Sequence, residues 1–224
     1  PFKDFKKQNR KGRNGIEKAH YKFIYDSPVN QKEFYILLDI IYEKNNYARL
    51  EEKFIKNEIL LTESPYLKVT LPTADCILGD KLTAFAPKTI GIRIGEDKDL
   101  EVIKQMFDIS CLFDEIKNFD DIYETYYKTA MTEISYRGID ISAEDALTDT
   151  MEAAACIVGR GKYGKEYNLY SSAIKKLSGH IYDERFSGET AAVLACKVIY
   201  IAACVLRDKA PEKIKKPNLF TNIN

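Results

Sequence analysis

An α+β fold is predicted for this chain, with strands in its first third and helices in the rest. Two patterns carry that expectation. Apolar residues alternate in short runs as far as residue 72, the period of a strand with one buried face. From residue 73 onward they recur every three or four positions, the period of a helix with one buried face. The 224 residues are 45% hydrophobic and 30% charged, a composition that folds around a core.

Residues 1–18 are polar and basic, with Lys3, Lys6, Lys7, Arg10, Lys11, Arg13 and Lys18 against Asp4 and Glu17, and they are expected to form a solvated arm. The first expected strand is HYKFIYDSP (20–28), with Tyr21, Phe23 and Tyr25 on one face and a Ser-Pro turn at its end. EFYILLDIIYE (33–43) follows. Because both of its faces are apolar, it is expected at the centre of a sheet. YLKVTL (66–71) is the third.

The helical half opens with TADCILGDKLTAFAP (73–87), which has Thr73 as N-cap and Pro87 as a stop. DKDLEVIKQMFDISCLFDEI (97–116) is next, acidic at its start as the helix dipole prefers. Four further helices are expected at about 118–136, 143–159, 165–182 and 188–208, with Ser142 and Asp145 forming a capping box. The glycine-rich GRGKYGKEY (159–167) lacks the spacing of a phosphate-binding loop and reads as an interhelical connection. The aromatics of YETYYK (123–128) read as bundle packing.

Charge excludes little. Lys plus Arg equals Asp plus Glu at 34 each, so no net charge draws the chain to nucleic acid or membrane. The five cysteines are scattered through apolar surroundings with no paired spacing, which predicts buried reduced thiols, Cys156, Cys196 and Cys204 among them, in a cytoplasmic protein. The longest apolar run, AAVLACKVIYIAACVL (191–206), is broken by Lys197 and is short for a membrane span, and no signal peptide precedes the first strand.

Three constellations carry possible chemistry. Asp39 interrupts the aliphatic run ILLDII, where an ionised carboxylate must face water, a partner or a metal. Asp80 and Lys81 lie in an otherwise core-facing helix beside Gly79, and glycine inside a helix suggests close approach by another backbone or a ligand. Lys104 and Asp108 are four apart and so share a helix face, with the acid on the less favourable C-terminal side. Each also has an ordinary reading: an exposed edge carboxylate, a lysine reaching to the surface, and a surface ion pair.

Taken in order, HYKFIYDS, ILLDII, LKVTLPT, ADCILGDKLTAFAP and VIKQMFDISCLF resemble the AbiEii/AbiGii-type nucleotidyltransferase toxins of type IV toxin–antitoxin and abortive-infection systems. The resemblance covers about residues 10 to 115, and its most specific part is ILGDKLTAFAP followed by KQMFD. It implies a partial polymerase-β-like nucleotidyltransferase sheet over residues 1–90 and a helical domain over residues 91–224. It also implies transfer of a nucleoside monophosphate from a nucleoside triphosphate (NTP), with Mg²⁺, to an acceptor such as transfer RNA (tRNA), and a cognate antitoxin as partner. By position, Asp39 matches the third metal-binding carboxylate and Lys81 the lysine near the nucleotide phosphates. Lys104 and Asp108 match the basic residue and final acid of a basic-acid-x-x-acid motif, in which Gln105 replaces the middle acid. These four residues are expected to converge.

The family's Gly-Ser turn and its Asp-x-Asp pair are not found upstream of Asp39, and they are expected to precede Pro1. One carboxylate cannot hold two metal ions, so the chain is expected to be inactive alone. The second reading is a non-catalytic remnant that binds protein or RNA.

Overall fold

The computed structural model describes residues 2–8, 17–56, 62–181 and 185–212. Among them are two small antiparallel sheets and six α-helices, a mixed α+β architecture. They form two compact units, residues 1–45 and 46–224.

The first unit is a three-stranded sheet in the order β1 (Asp4–Gln8), β2 (Lys18–Asp26), β3 (Glu33–Ile41). β1 falls in the stretch expected to be a solvated arm. Its single apolar residue, Phe5, gives no period to read, yet it pairs with Phe23 of β2 along a five-residue register. The basic run RKGRNG (10–15) lies outside the described residues. β3 is an edge strand, not the central one expected from its two apolar faces, and Phe34 to Leu38 are all about half exposed.

The second unit opens with a two-stranded sheet, β4 (Leu50–Phe54) and β5 (Lys68–Pro72). β4, of sequence LEEKF, was not legible in the sequence because it lacks an apolar alternation. Six helices follow: α1 (Ala74–Ala84), α2 (Asp99–Phe113), α3 (Phe119–Arg137), α4 (Ala143–Val158), α5 (Tyr167–Leu177) and α6 (Gly188–Leu206). α1, expected with the strand region, packs within this helical unit. The expected caps are formed. Thr73 accepts from the Cys76 amide, and Ser142 and Asp145 bond reciprocally at the start of α4. GRGKYGKEY is a connection, turned by positive φ at Arg160 and Gly161, and Tyr126 is fully buried in the bundle.

α6, at 19 residues, has the length and composition to cross a membrane, contrary to the reading of its apolar run, though only 33% of its most apolar window is buried. Ala191, Ala195, Val198, Ile201 and Val205 on one face are fully buried in the bundle core, while Lys197 reaches out to Asp114 at 2.6 Å. That same geometry corrects the cysteine expectation. Cys156 and Cys204 are buried, but Cys196 follows Ala195 onto the outer face and is exposed, as is Cys111 on α2.

Gly79 is where α1 meets α3. A Cβ there would lie 2.5 Å from the Ile122 carbonyl oxygen and 3.1 Å from the Tyr126 nitrogen, both backbone atoms that cannot yield. Gly79→Ala is therefore expected to destabilise the protein by about 2–3 kcal/mol in chemical denaturation, through overpacking against a backbone. Gly138, the left-handed C-cap of α3, meets nothing within 4 Å. Gly138→Ala should cost only about 1 kcal/mol, the strain of its positive φ.

Candidate functional site

α1 carries Asp80 and Lys81 to the side of the bundle where α2 runs. Lys81 Nζ donates to Gln105 Oε1 at 2.8 Å and to Asp108 Oδ2 at 2.7 Å. The two acceptors are three residues apart on α2, so they share a face one turn apart and form a short fork. An ammonium has three N–H donors. Two are taken by these oxygens, and among the described residues nothing takes the third. The Lys81 side chain is 27% exposed.

Asp80 faces the segment before β4. Tyr47 Oη donates to Asp80 Oδ2 at 3.2 Å. Tyr47 is itself placed by its neighbours: Asn46 donates to Thr132 Oγ1, the Ala48 amide donates to Thr125 Oγ1, and the Arg49 amide donates to Cys76 Sγ. Arg49 Nε also lies 3.1 Å from Asp121 Oδ2, closing the segment against α3. Burial pushes the Asp80 carboxyl above the usual carboxylate range, opposed by the Tyr47 hydrogen bond and the Lys81 charge. Burial, with the Asp80 charge beside it, also pushes the Tyr47 hydroxyl up to about 12. The cluster Tyr47, Asp80, Lys81, Gln105 and Asp108 is thus an ordered polar patch with one lysine N–H left to recognise an anion.

Of the expected residues, Lys81 and Asp108 come together. Lys104 does not join them: it is exposed on α2 and makes no hydrogen bond or ion pair among the described residues, because Asp108 turns to Lys81. Asp39 belongs to the other unit. Its Oδ1 lies 2.5 Å from Nδ1 of His20, the residue directly opposite on β2, and its side chain is 58% exposed. The pairing answers how an acid is tolerated in ILLDII: the half-exposed carboxylate has an imidazole as its cross-strand partner.

Two contributors escaped sequence reasoning. Gln105 stood out only as a departure from a motif, yet it holds Lys81 with a neutral oxygen where an acid would have added a second negative charge beside Asp108. Tyr47 lies in a stretch with no periodicity and is recognisable only once its segment is anchored. The cleft of about 570 Å³ lined by Ile174, Lys175, Ser178, Arg185 and Phe186 contains none of these residues.

Comparison with protein-family models, with curated proteins and with solved structures yields no match for this chain.

The raised Asp80 carboxyl gives a signed test. The native state holds the Asp80 proton more tightly than the unfolded chain does, so this group's contribution to stability falls as pH rises from 3.8, its ordinary value, through its higher native value. Asp80→Asn keeps an acceptor for Tyr47 and removes that dependence. Melting curves should show the Asn variant gaining on the wild type as pH rises from about 4. A wild type that instead gains on the Asn variant over the same range would contradict the burial of Asp80.

Proposed function

We propose that this chain is a component of a nucleotidyltransferase-type toxin of the type IV toxin–antitoxin and abortive-infection class, and that it contributes the element that grips the nucleoside triphosphate. The observation that carries the reading is the pair of bonds from Lys81 to Gln105 and Asp108. They hold the ammonium in place with one donor unspent and only one carboxylate in contact, an arrangement suited to a polyphosphate oxygen. The order of sequence motifs supports the same assignment, and a polymerase-β-like arrangement of the strands is part of the proposal. In the complete reaction the acceptor is an RNA end such as that of tRNA, the partner is a cognate antitoxin, and the setting is the cytoplasm.

The Mg²⁺ ions that the resemblance implies do not fit the residues present. Asp39 has an imidazole beside it, and among the described residues no three His, Cys, Asp or Glu side chains gather as a metal site would need. No catalytic step is therefore assigned through the ions. Lys81 binds and neutralises phosphate, Asp108 and Gln105 fix its direction, and Asp80 with Tyr47 fixes the helix corner from which it projects.

Calorimetric titration of residues 1–224 with ATP and with inorganic triphosphate should give measurable binding, weakened at least about tenfold by Lys81→Ala and less by Lys104→Ala. Labelled nucleotide should not pass to tRNA from this chain alone. Binding that ignores Lys81→Ala would remove the nucleotide reading and leave the protein- or RNA-binding one. Transfer by the chain alone would show that the metal site has been misjudged.

A further inference from the structure

The pairing register of the first unit sorts its side chains into two unlike faces. Asp4, Lys6, Lys22, Asp26, Glu33 and Asp39 all fall on one of them, together with His20. The other carries the rows Phe5–Phe23–Ile36 and Lys7–Tyr21–Leu38, flanked by Tyr25 opposite Phe34 and Ala19 opposite Ile40. Its rings touch in a chain that Phe2, just before β1, completes between Phe23 at 5.2 Å and Tyr25 at 6.3 Å. Phe5 stacks on Tyr21 at 5.3 Å and touches Phe23 at 5.1 Å, while Tyr25 reaches Phe34 at 6.5 Å. A sheet with one apolar face buries it against another layer. Here Phe5, Phe34, Ile36 and Leu38 remain about half exposed.

We propose that this face is the contact by which two copies of the chain associate, sheet upon sheet. Charge selects the occupant. Within the paired strands the face carries a single charged residue, Lys7, and no carboxylate. A nucleic acid or an anionic membrane would find one cation to meet its phosphates, and a strongly charged protein would find no counter-charges. A second copy of the same face meets apolar rows with apolar rows and brings two lysines, one from each copy. The exposed apolar surface lies along the two edge strands: Phe5 of β1 and Phe34, Ile36 and Leu38 of β3 are each about half exposed, while Tyr21, Phe23 and Tyr25 of β2 are less so and Ala19 is buried. Two such sheets pack about 10 Å apart with their strands within about 30° of alignment, so the rings interdigitate across a twofold axis. The proposal is independent of the nucleotide reading, because Lys81 lies in the other unit.

The neighbours Leu37 and Leu38 separate this contact from any other use of β3. They are 47% and 45% exposed and point to opposite faces. Sedimentation equilibrium of the full chain should show a dimer that Leu38→Lys and Ile36→Lys each weaken at least about a hundredfold, with far-UV spectra unchanged. Leu37→Lys should leave the dimer intact. A monomeric wild type at about 100 μM would overturn the proposal. Equal loss in Leu37→Lys and Leu38→Lys would also overturn it, pointing to pairing along the strand edge or to unspecific association. So would a monomer that takes up single-stranded oligonucleotide or anionic vesicles and loses them on Phe5→Ala.

Discussion

The contact of Gly79 with the backbone of α3 is the constraint on which the helical unit depends. A helix packed this closely has no side chain between the two axes, so its position is fixed by atoms that cannot repack. Every turn of α1 is then tied to a different neighbour. Asp75 accepts from the Lys117 and Asn118 amides at the start of α3, and Leu82 accepts from the Thr150 hydroxyl of α4. Beyond its end, Asp149 of α4 takes the Lys88 and Thr89 amides and the Thr89 hydroxyl on one carboxylate oxygen. Lys81 spans to α2 in the middle of this set. A partly exposed ion pair is ordinarily worth about 1 kcal/mol or less. Its importance here is directional: a rigid α1 aims one ammonium, and two α2 oxygens hold it there.

That rigidity explains which features were legible in the sequence. Caps, helix periods and the unusual Gly79 are local signals, and each survived folding because local preference and tertiary packing agree along α1 to α6. The role of Gly79 could be stated in kind from the cost of glycine in a helix, although the α3 backbone as its neighbour could not. The two short strands β1 and β4 gave no signal because their positions are set by pairing with β2 and β5 and not by an apolar alternation of their own. β3 misled for the opposite reason. Its unbroken apolar run has the composition of a central strand, but only β2 pairs with it among the described residues.

The site shows the same division. Lys81 and Asp108 were found from motif order, and the structure joins them through a bond that neither residue's local sequence announces. Lys104 was chosen for its spacing to Asp108. Helical spacing makes two residues neighbours but does not decide which cation the acid will hold, and α1 supplies a nearer one. Asp39 was read as an exposed edge carboxylate or a metal ligand. What no one-strand pattern could show is that register brings His20 opposite, which satisfies the carboxylate within the sheet.

Lys81 is held in place by Gln105 and Asp108 before any ligand arrives, with one N–H to offer. Nitrogen-15 NMR of the lysine ammonium groups reads that state directly. A hydrogen-bonded Lys81 should give a resolved, slowly exchanging signal in the free protein, and inorganic triphosphate should shift that signal before those of other lysines. An averaged Lys81 signal like that of the exposed lysines, unmoved by triphosphate, would contradict the account.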